Sequence, residues 1–314
     1  MRLGYRSIIG VVFFAVFFPA TAQPAAAKSQ TVVVPFDFSR HAIVVEVTVH
    51  GVPLHMFLDT GVSPSVIDTA RAKELGLKID FADGGEGSGS GNDQHVMAYP
   101  TSIDQLAIRG RPFGSIQALT ADQSAISRAY GRRIDGTLGL SFLSGKVILI
   151  NYAAATLTIS DGMSDVAPQL AGCGKAWRMP LRSFPGDTIP VVEMRIGNAR
   201  LPVSIDTGSN GTLELYQDAL DRPGVKAALV ETGTQQETGA RGGYVANTYV
   251  LNTPIRLGPF QLAAGESVTL RDFPGSSHTR LANVGDKLLS DMRVQLLLDY
   301  RDNRIGFYGG CAER

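Results

Sequence analysis

The hydrophobic positions of this chain fall in short runs rich in β-branched residues and bounded by turn residues, which is the pattern of β-strands. Ile43 to Val49 is one such run and Val191 to Ile196 is another. Each leads through a turn, at His50-Gly51 and Gly197-Asn198, into a second apolar run that ends in Asp-Thr-Gly. Further along, Val147 to Ile150 with Thr156 to Ile159, and Val294 to Leu298 with Arg304 to Phe307, each predict a β-hairpin. Asp302-Asn303 supplies the turn of the second. One short helix is expected after the first Asp-Thr-Gly, with Asp68 as its N-cap, an end near Leu75 and Gly76 at its C-cap.

The same pattern occurs twice. Val44-Val45-Glu46-Val47 recurs as Val191-Val192-Glu193-Met194, and Leu58-Asp59-Thr60-Gly61 as Ile205-Asp206-Thr207-Gly208, both 147 positions later. Gly139 answers Gly285, Leu143-Ser144 answers Leu289-Ser290, and Asn151-Tyr152 answers Asp299-Tyr300, with offsets changed by a residue at most. A period of this size predicts two copies of one β-rich unit in a single chain. The copies are expected over residues 23–163 and 176–314. Between them Ser164 to Lys175, with Gly, Pro and little periodicity, reads as a linker.

The first thirty residues read as an address. Arg2 and Arg6 precede an apolar run from Ile8 to Phe18, and Ala20-Thr21-Ala22 has the small-x-small form that signal peptidase reads. A signal peptide over residues 1–22 is expected, a retained anchor being the alternative, since the run is shorter than the roughly 20 residues of a membrane span. The mature chain would start near Gln23 and need no propeptide removal. An exported protein, periplasmic or secreted and with no membrane span, follows.

At 314 residues with 44% hydrophobic and 18% charged positions, the chain is long enough for two packed domains. Lys+Arg and Asp+Glu both number 29, so no net field draws in nucleic acid or an anionic membrane. Two cysteines, Cys173 and Cys311, suit an oxidising compartment, and a disulfide between them is weighed against two free thiols. Five scattered histidines form no metal-ligand motif, so neither metal nor cofactor is expected.

A lone Asp-Thr-Gly occurs by chance in about one chain of this length in twenty, most often as a turn. Two copies at matching places, each delivered by a hydrophobic strand, point instead to chemistry. Two carboxylates about 3 Å apart cannot both ionise, so Asp59 and Asp206 would share one proton. One then serves as general base on a water and the other as acid toward a carbonyl. Gly61 and Gly208 lack a Cβ, which lets the backbone aim N–H groups at the carboxylates. The Thr60 and Thr207 hydroxyls need partners on the facing half. Ser209 offers Asp206 a hydroxyl donor where Val62 offers Asp59 none, so Asp206 is expected to be ionised more often.

Met56-Phe57-Leu58-Asp59-Thr60-Gly61 and Val203-Ser204-Ile205-Asp206-Thr207-Gly208 resemble the motifs of the retropepsin-like and pepsin-like aspartic proteases. Asp135-Gly136-Thr137-Leu138-Gly139-Leu140 and, more weakly, Asn283-Val284-Gly285-Asp286 resemble the downstream element of that family. The resemblance is to bacterial proteins with two retropepsin-like halves in one chain, and it spans roughly residues 32 to 309. It implies an all-β, mainly antiparallel, bilobal fold with a few short helices and a catalytic pair Asp59/Asp206. Gly139 and Gly285 would complete the base of the site, and Thr60 and Thr207 would interlock across the lobes. It further implies hydrolysis of a polypeptide substrate without cofactor, by a monomer. Glycine-tipped flaps are expected at Gly84 to Gly91 and at Gly239 to Gly243 with Tyr244. A cleft that binds peptide without cleaving it is the rival. Val62 and Ala282-Asn283-Val284 depart from the family pattern.

Overall fold

A computed structural model describes residues 31–91, 95–271 and 280–311; the expected signal segment lies outside them. The fold is mainly β, with a few short helices, in two lobes. Among the described residues the strands form three sheets. One runs, in spatial order, through Val44–Val49, Val52–Leu58, Gly136–Leu138, Ser65–Asp68, Arg111–Ala121, Met97–Ile108 and Gly85–Glu86. The second begins with Leu229–Gly239, Gly242–Leu251, Ser267–Arg271 and Leu213–Tyr216. It continues through Ala282–Val284, Ala199–Ile205, Val191–Ile196, Ile255–Leu257 and Phe260–Leu262.

The centres of these two sheets pair alike. Val52–Leu58 runs parallel to Gly136–Leu138, which is antiparallel to Ser65–Asp68. Ala199–Ile205 likewise runs parallel to Ala282–Val284, which is antiparallel to Leu213–Tyr216. Period-2 alternation drives both central strands into their cores. Leu54, Met56 and Leu58 are fully buried, as are Leu201, Val203 and Ile205. Each such side chain contributes about 1.5–3 kcal/mol by leaving water. Asp59 and Asp206 follow at once, so their backbone is held by a packed strand.

The third sheet joins the lobes. The two predicted hairpins, now bounded as Val147–Asn151 with Thr156–Ser160 and Val294–Asp299 with Arg304–Gly309, pair with each other. Ile148 lies opposite Leu298 and Ile150 opposite Leu296. Val32–Pro35 extends one edge and Lys175–Pro180 the other. The expected helix spans Thr69–Glu74, and Asp68 accepts the Arg71 N–H at 3.0 Å as its N-cap.

The stretch read as an aperiodic linker is more ordered than that. Met163–Asp165 forms one 3-10 turn and Ala167–Leu170 one α-helical turn. Val166 and Leu170 pack with Val147, Leu149, Leu297 and Tyr308 of the shared sheet. Too few residues repeat at helical spacing for the pattern to stand out, and the fixing contacts are distant in sequence. Cys173 and Cys311 are disulfide-bonded against the same cluster, across 138 positions of chain. Among the described residues no helix is long and apolar enough to cross a membrane.

Candidate active site

The two Asp-Thr-Gly loops meet where the lobes meet, and their contact is reciprocal. The Thr60 hydroxyl donates to the Ile205 carbonyl at 2.7 Å and accepts the Thr207 N–H at 3.1 Å. The Thr207 hydroxyl donates to the Leu58 carbonyl at 3.0 Å and accepts the Thr60 N–H at 3.0 Å. Both threonines are buried, so each of these groups would be unsatisfied without its partner.

This interlock sets Asp59 and Asp206 together, both half-buried. Gly61 N–H donates to Asp59 Oδ1 at 2.6 Å, and Gly208 N–H to Asp206 Oδ1 at 3.0 Å. A Cβ on Gly61 would lie 2.9 Å from Asp206 Oδ1, and one on Gly208 would fall within the Asp59 carboxylate. Glycine is therefore required by the opposite carboxylate, a close approach that no other residue permits. Burial pushes the Asp59 carboxyl well above the ordinary range, the negative charge of Asp206 adds to this, and the Gly61 N–H offsets part of it.

The downstream glycines sit under these loops. Leu140 N–H donates to the Val62 carbonyl at 2.9 Å, and Asp286 N–H to the Ser209 carbonyl at 2.8 Å. Gly139 and Gly285 pass against those same loop carbonyls, where a side chain would collide. Despite its divergent sequence, Ala282-Asn283-Val284 pairs as Gly136-Thr137-Leu138 does. The side-chain donor to Asp206 is not Ser209, whose hydroxyl lies beside Gly285, but Asn283, whose Nδ2 is 2.6 Å from Asp206 Oδ2.

Two further groups escaped sequence reasoning. Asp286 is fully buried and accepts the Tyr152 hydroxyl at 2.7 Å on Oδ1. Burial raises its carboxyl well above the ordinary range against the pull of the Tyr152 hydrogen bond, and the charges of Asp206 and Asp59 raise it further. The Tyr300 hydroxyl, also enclosed, is pushed up by burial and by Asp59. Nothing in a single sequence marks an Asp three positions after an Asn as buried; only the pairing of the strands does.

The two glycine-rich segments approach each other over the lobes. Leu229–Gly239 and Gly242–Leu251 make a long hairpin whose tip, Ala240-Arg241, meets Ser90, with the Arg241 N–H donating to the Ser90 carbonyl at 2.7 Å. Arg241 also pairs with Glu86 at 3.3 Å, and Glu86 with His95 at 2.9 Å. Behind the second hairpin the Tyr244 hydroxyl donates to Glu214 at 3.1 Å, and Arg271 pairs with the same carboxylate. Among the described residues no three His, Cys, Asp or Glu side chains converge as metal ligands would.

Residues 45–142 match the aspartyl protease family. In fold the chain is similar to an aspartic proteinase from Irpex lacteus, at 11% identity and a TM-score of 0.53, over 89% of this chain and 97% of that one. It is also similar to the basic 7S globulin of soybean, at 11% identity and a TM-score of 0.48, over 90% and 95% of the two chains. No curated protein matches it in sequence. The family match in the first lobe and the pepsin-like fold across both bear out the resemblance to the retropepsin-like and pepsin-like aspartic proteases.

Proposed function

We propose that this chain is an aspartic endopeptidase that hydrolyses peptide bonds with a water activated between Asp59 and Asp206. The observation that carries the reading is the reciprocal Thr60/Thr207 interlock, which holds the two carboxylates against each other's glycine. A pair so close keeps one proton between its members over a wide pH range. The ionised member takes a proton from water as the water oxygen bonds to the scissile carbonyl carbon. The protonated member gives its proton to the carbonyl oxygen, yielding a neutral gem-diol. Collapse returns a hydroxyl proton to the second carboxylate and passes the first one's proton to the leaving nitrogen. The C–N bond breaks, and the pair ends as it began.

The fold supports placing substrate between the lobes, beneath the meeting of Ser90 and Arg241. Substrate entry then requires those tips to part. Two fused copies of one unit, over residues 23–163 and 176–314 with 164–175 between them, supply one aspartate each, so a monomer is complete. The N-terminal signal pattern and the Cys173–Cys311 bond together favour an exported protein, periplasmic or secreted. Digestion of a peptide library from acidic to neutral pH tests the reading. Peptide binding without cleavage at any pH would leave the non-catalytic alternative in its place.

A further inference from the structure

The dyad is flanked by matching backbone but not by matching side chains. Ser204 lies opposite Asn283 in the parallel ladder of the second lobe, where the first lobe has Phe57 opposite Thr137. Asn283 is 5% exposed and Ser204 fully buried. The Ser204 hydroxyl is in short contact with Asn283 Oδ1 and lies 3.2 Å from the Ala282 carbonyl. On its other side, Asn283 Nδ2 is 2.6 Å from Asp206 Oδ2. The amide nitrogen thus faces Asp206 and donates to it, while the amide oxygen faces Ser204 and accepts from it. A Ser204 hydroxyl that donates to Oδ1 fixes that orientation.

Asp206 thus receives two donors, the Gly208 N–H on Oδ1 and the Asn283 amide on Oδ2. Asp59 receives the Gly61 N–H and, among the described residues, no side-chain hydrogen bond except that shared with Asp206. We infer that Asn283, anchored by Ser204, is a third member of the catalytic centre that assigns the roles within the pair. Asp206 is the ionised base that takes the proton from water, and Asp59 is the acid that protonates the carbonyl oxygen. This rests on the peptidase reading. It replaces the Ser209 hydroxyl as the source of asymmetry, and it gives the Ala282-Asn283-Val284 departure a purpose: the second lobe carries a donor that the first lobe lacks.

The titratable groups around the pair are Asp286, from the helix after Gly285, with Tyr152 bound to it. Tyr216, with Arg271 and Arg280 near its ring, faces Asp206, and Tyr300 faces Asp59. All of them stay in place when only residue 283 is changed. Asn283→Leu removes the donor at similar volume, and Asn283→Thr copies the first lobe's Thr137.

Carbonyl-labelled aspartate NMR on the full chain reads the two carboxyls directly through a pH titration, alongside peptide cleavage over the same range. A hydrogen bond to the charged form lowers the pH of the pair's first ionisation. Losing it should raise that step, and the acidic limb of the pH–rate profile with it, by about one pH unit in both variants, the scale of one hydrogen bond to a charged group. The Thr variant keeps a polar residue in the ladder and guards against a folding defect in the Leu variant. Cleavage by the wild type with an unmoved titration in folded Asn283→Thr overturns the inference alone. A wild type that cleaves no peptide overturns the peptidase reading and Asn283's role with it.

Discussion

Replacing Thr60 with Val tests the joint on which the site depends. The substitution keeps the β-branched shape and removes one hydroxyl. Two bonds go: the one donated to the Ile205 carbonyl at 2.7 Å and the one accepted from the Thr207 N–H at 3.1 Å. The bond from the Thr60 N–H to the Thr207 hydroxyl remains possible. A buried polar group left unsatisfied costs about 1–3 kcal/mol, so the two orphaned backbone groups together cost about 2–6 kcal/mol. That is a large part of the roughly 5–15 kcal/mol that holds a typical domain folded. Thr207→Val orphans the Leu58 carbonyl and the Thr60 N–H in the same way and should cost a similar amount. The double variant should lose less than the two together, because both act on one contact and the first change already loosens it. Urea unfolding with the disulfide intact, followed by two independent probes, measures all three. A Thr60→Val protein within about 0.5 kcal/mol of wild type would refute the interlock as a structural element.

Two other changes separate fold from chemistry. Asp286 is enclosed with its carboxyl held above the ordinary value of 3.8, so it binds its proton more tightly folded than unfolded. Its contribution to stability is full below pH about 4 and is lost as pH rises toward the folded value. Asp286→Asn should therefore gain on wild type as pH is raised from 4 to 7 in thermal melts, and a pH-independent difference would contradict the enclosure. Replacing both Cys173 and Cys311 with Ser opens a loop of 138 positions and should cost about 3–5 kcal/mol in denaturant. An unchanged midpoint would mean that the unfolded chain gains nothing from losing the link.

Local rules carried much of the fold. Asp68 was readable as a helix cap because a carboxylate three residues before an unsatisfied N–H acts within one turn. The hairpins were readable because each closes on itself over a few residues. Their pairing into one sheet, Val147–Asn151 against Val294–Asp299, was not readable, since it joins segments far apart in sequence whose apolar patterns fit many partners. The docking of Val166 and Leu170 on that sheet escaped for the same reason.

At the site, the two Asp-Thr-Gly motifs named the residues that the lobes bring together. The threonine interlock could be anticipated as a need for partners, though not as four particular bonds. Ser209 looked like the donor for Asp206 because it is adjacent in sequence. Asn283 reaches Asp206 across a strand pairing, and its presence there reads in sequence only as a poor copy of Thr137. Asp286 belongs to the weaker downstream motif, but its burial beside Tyr152 comes from a contact across 134 positions.

The most direct test of the central claim is the cleavage rate of one library-derived peptide by wild type, Asp59→Asn and Asp206→Asn at the wild type's best pH. Each change removes half of the acid–base pair while leaving an isosteric group, so the fold should survive with circular dichroism unchanged. General acid–base catalysis is worth roughly 10²–10⁴ in rate, and each variant should fall by at least that much. Substantial turnover by either Asn variant would contradict the account, because no mechanism that shares one proton between Asp59 and Asp206 can run with only one carboxyl.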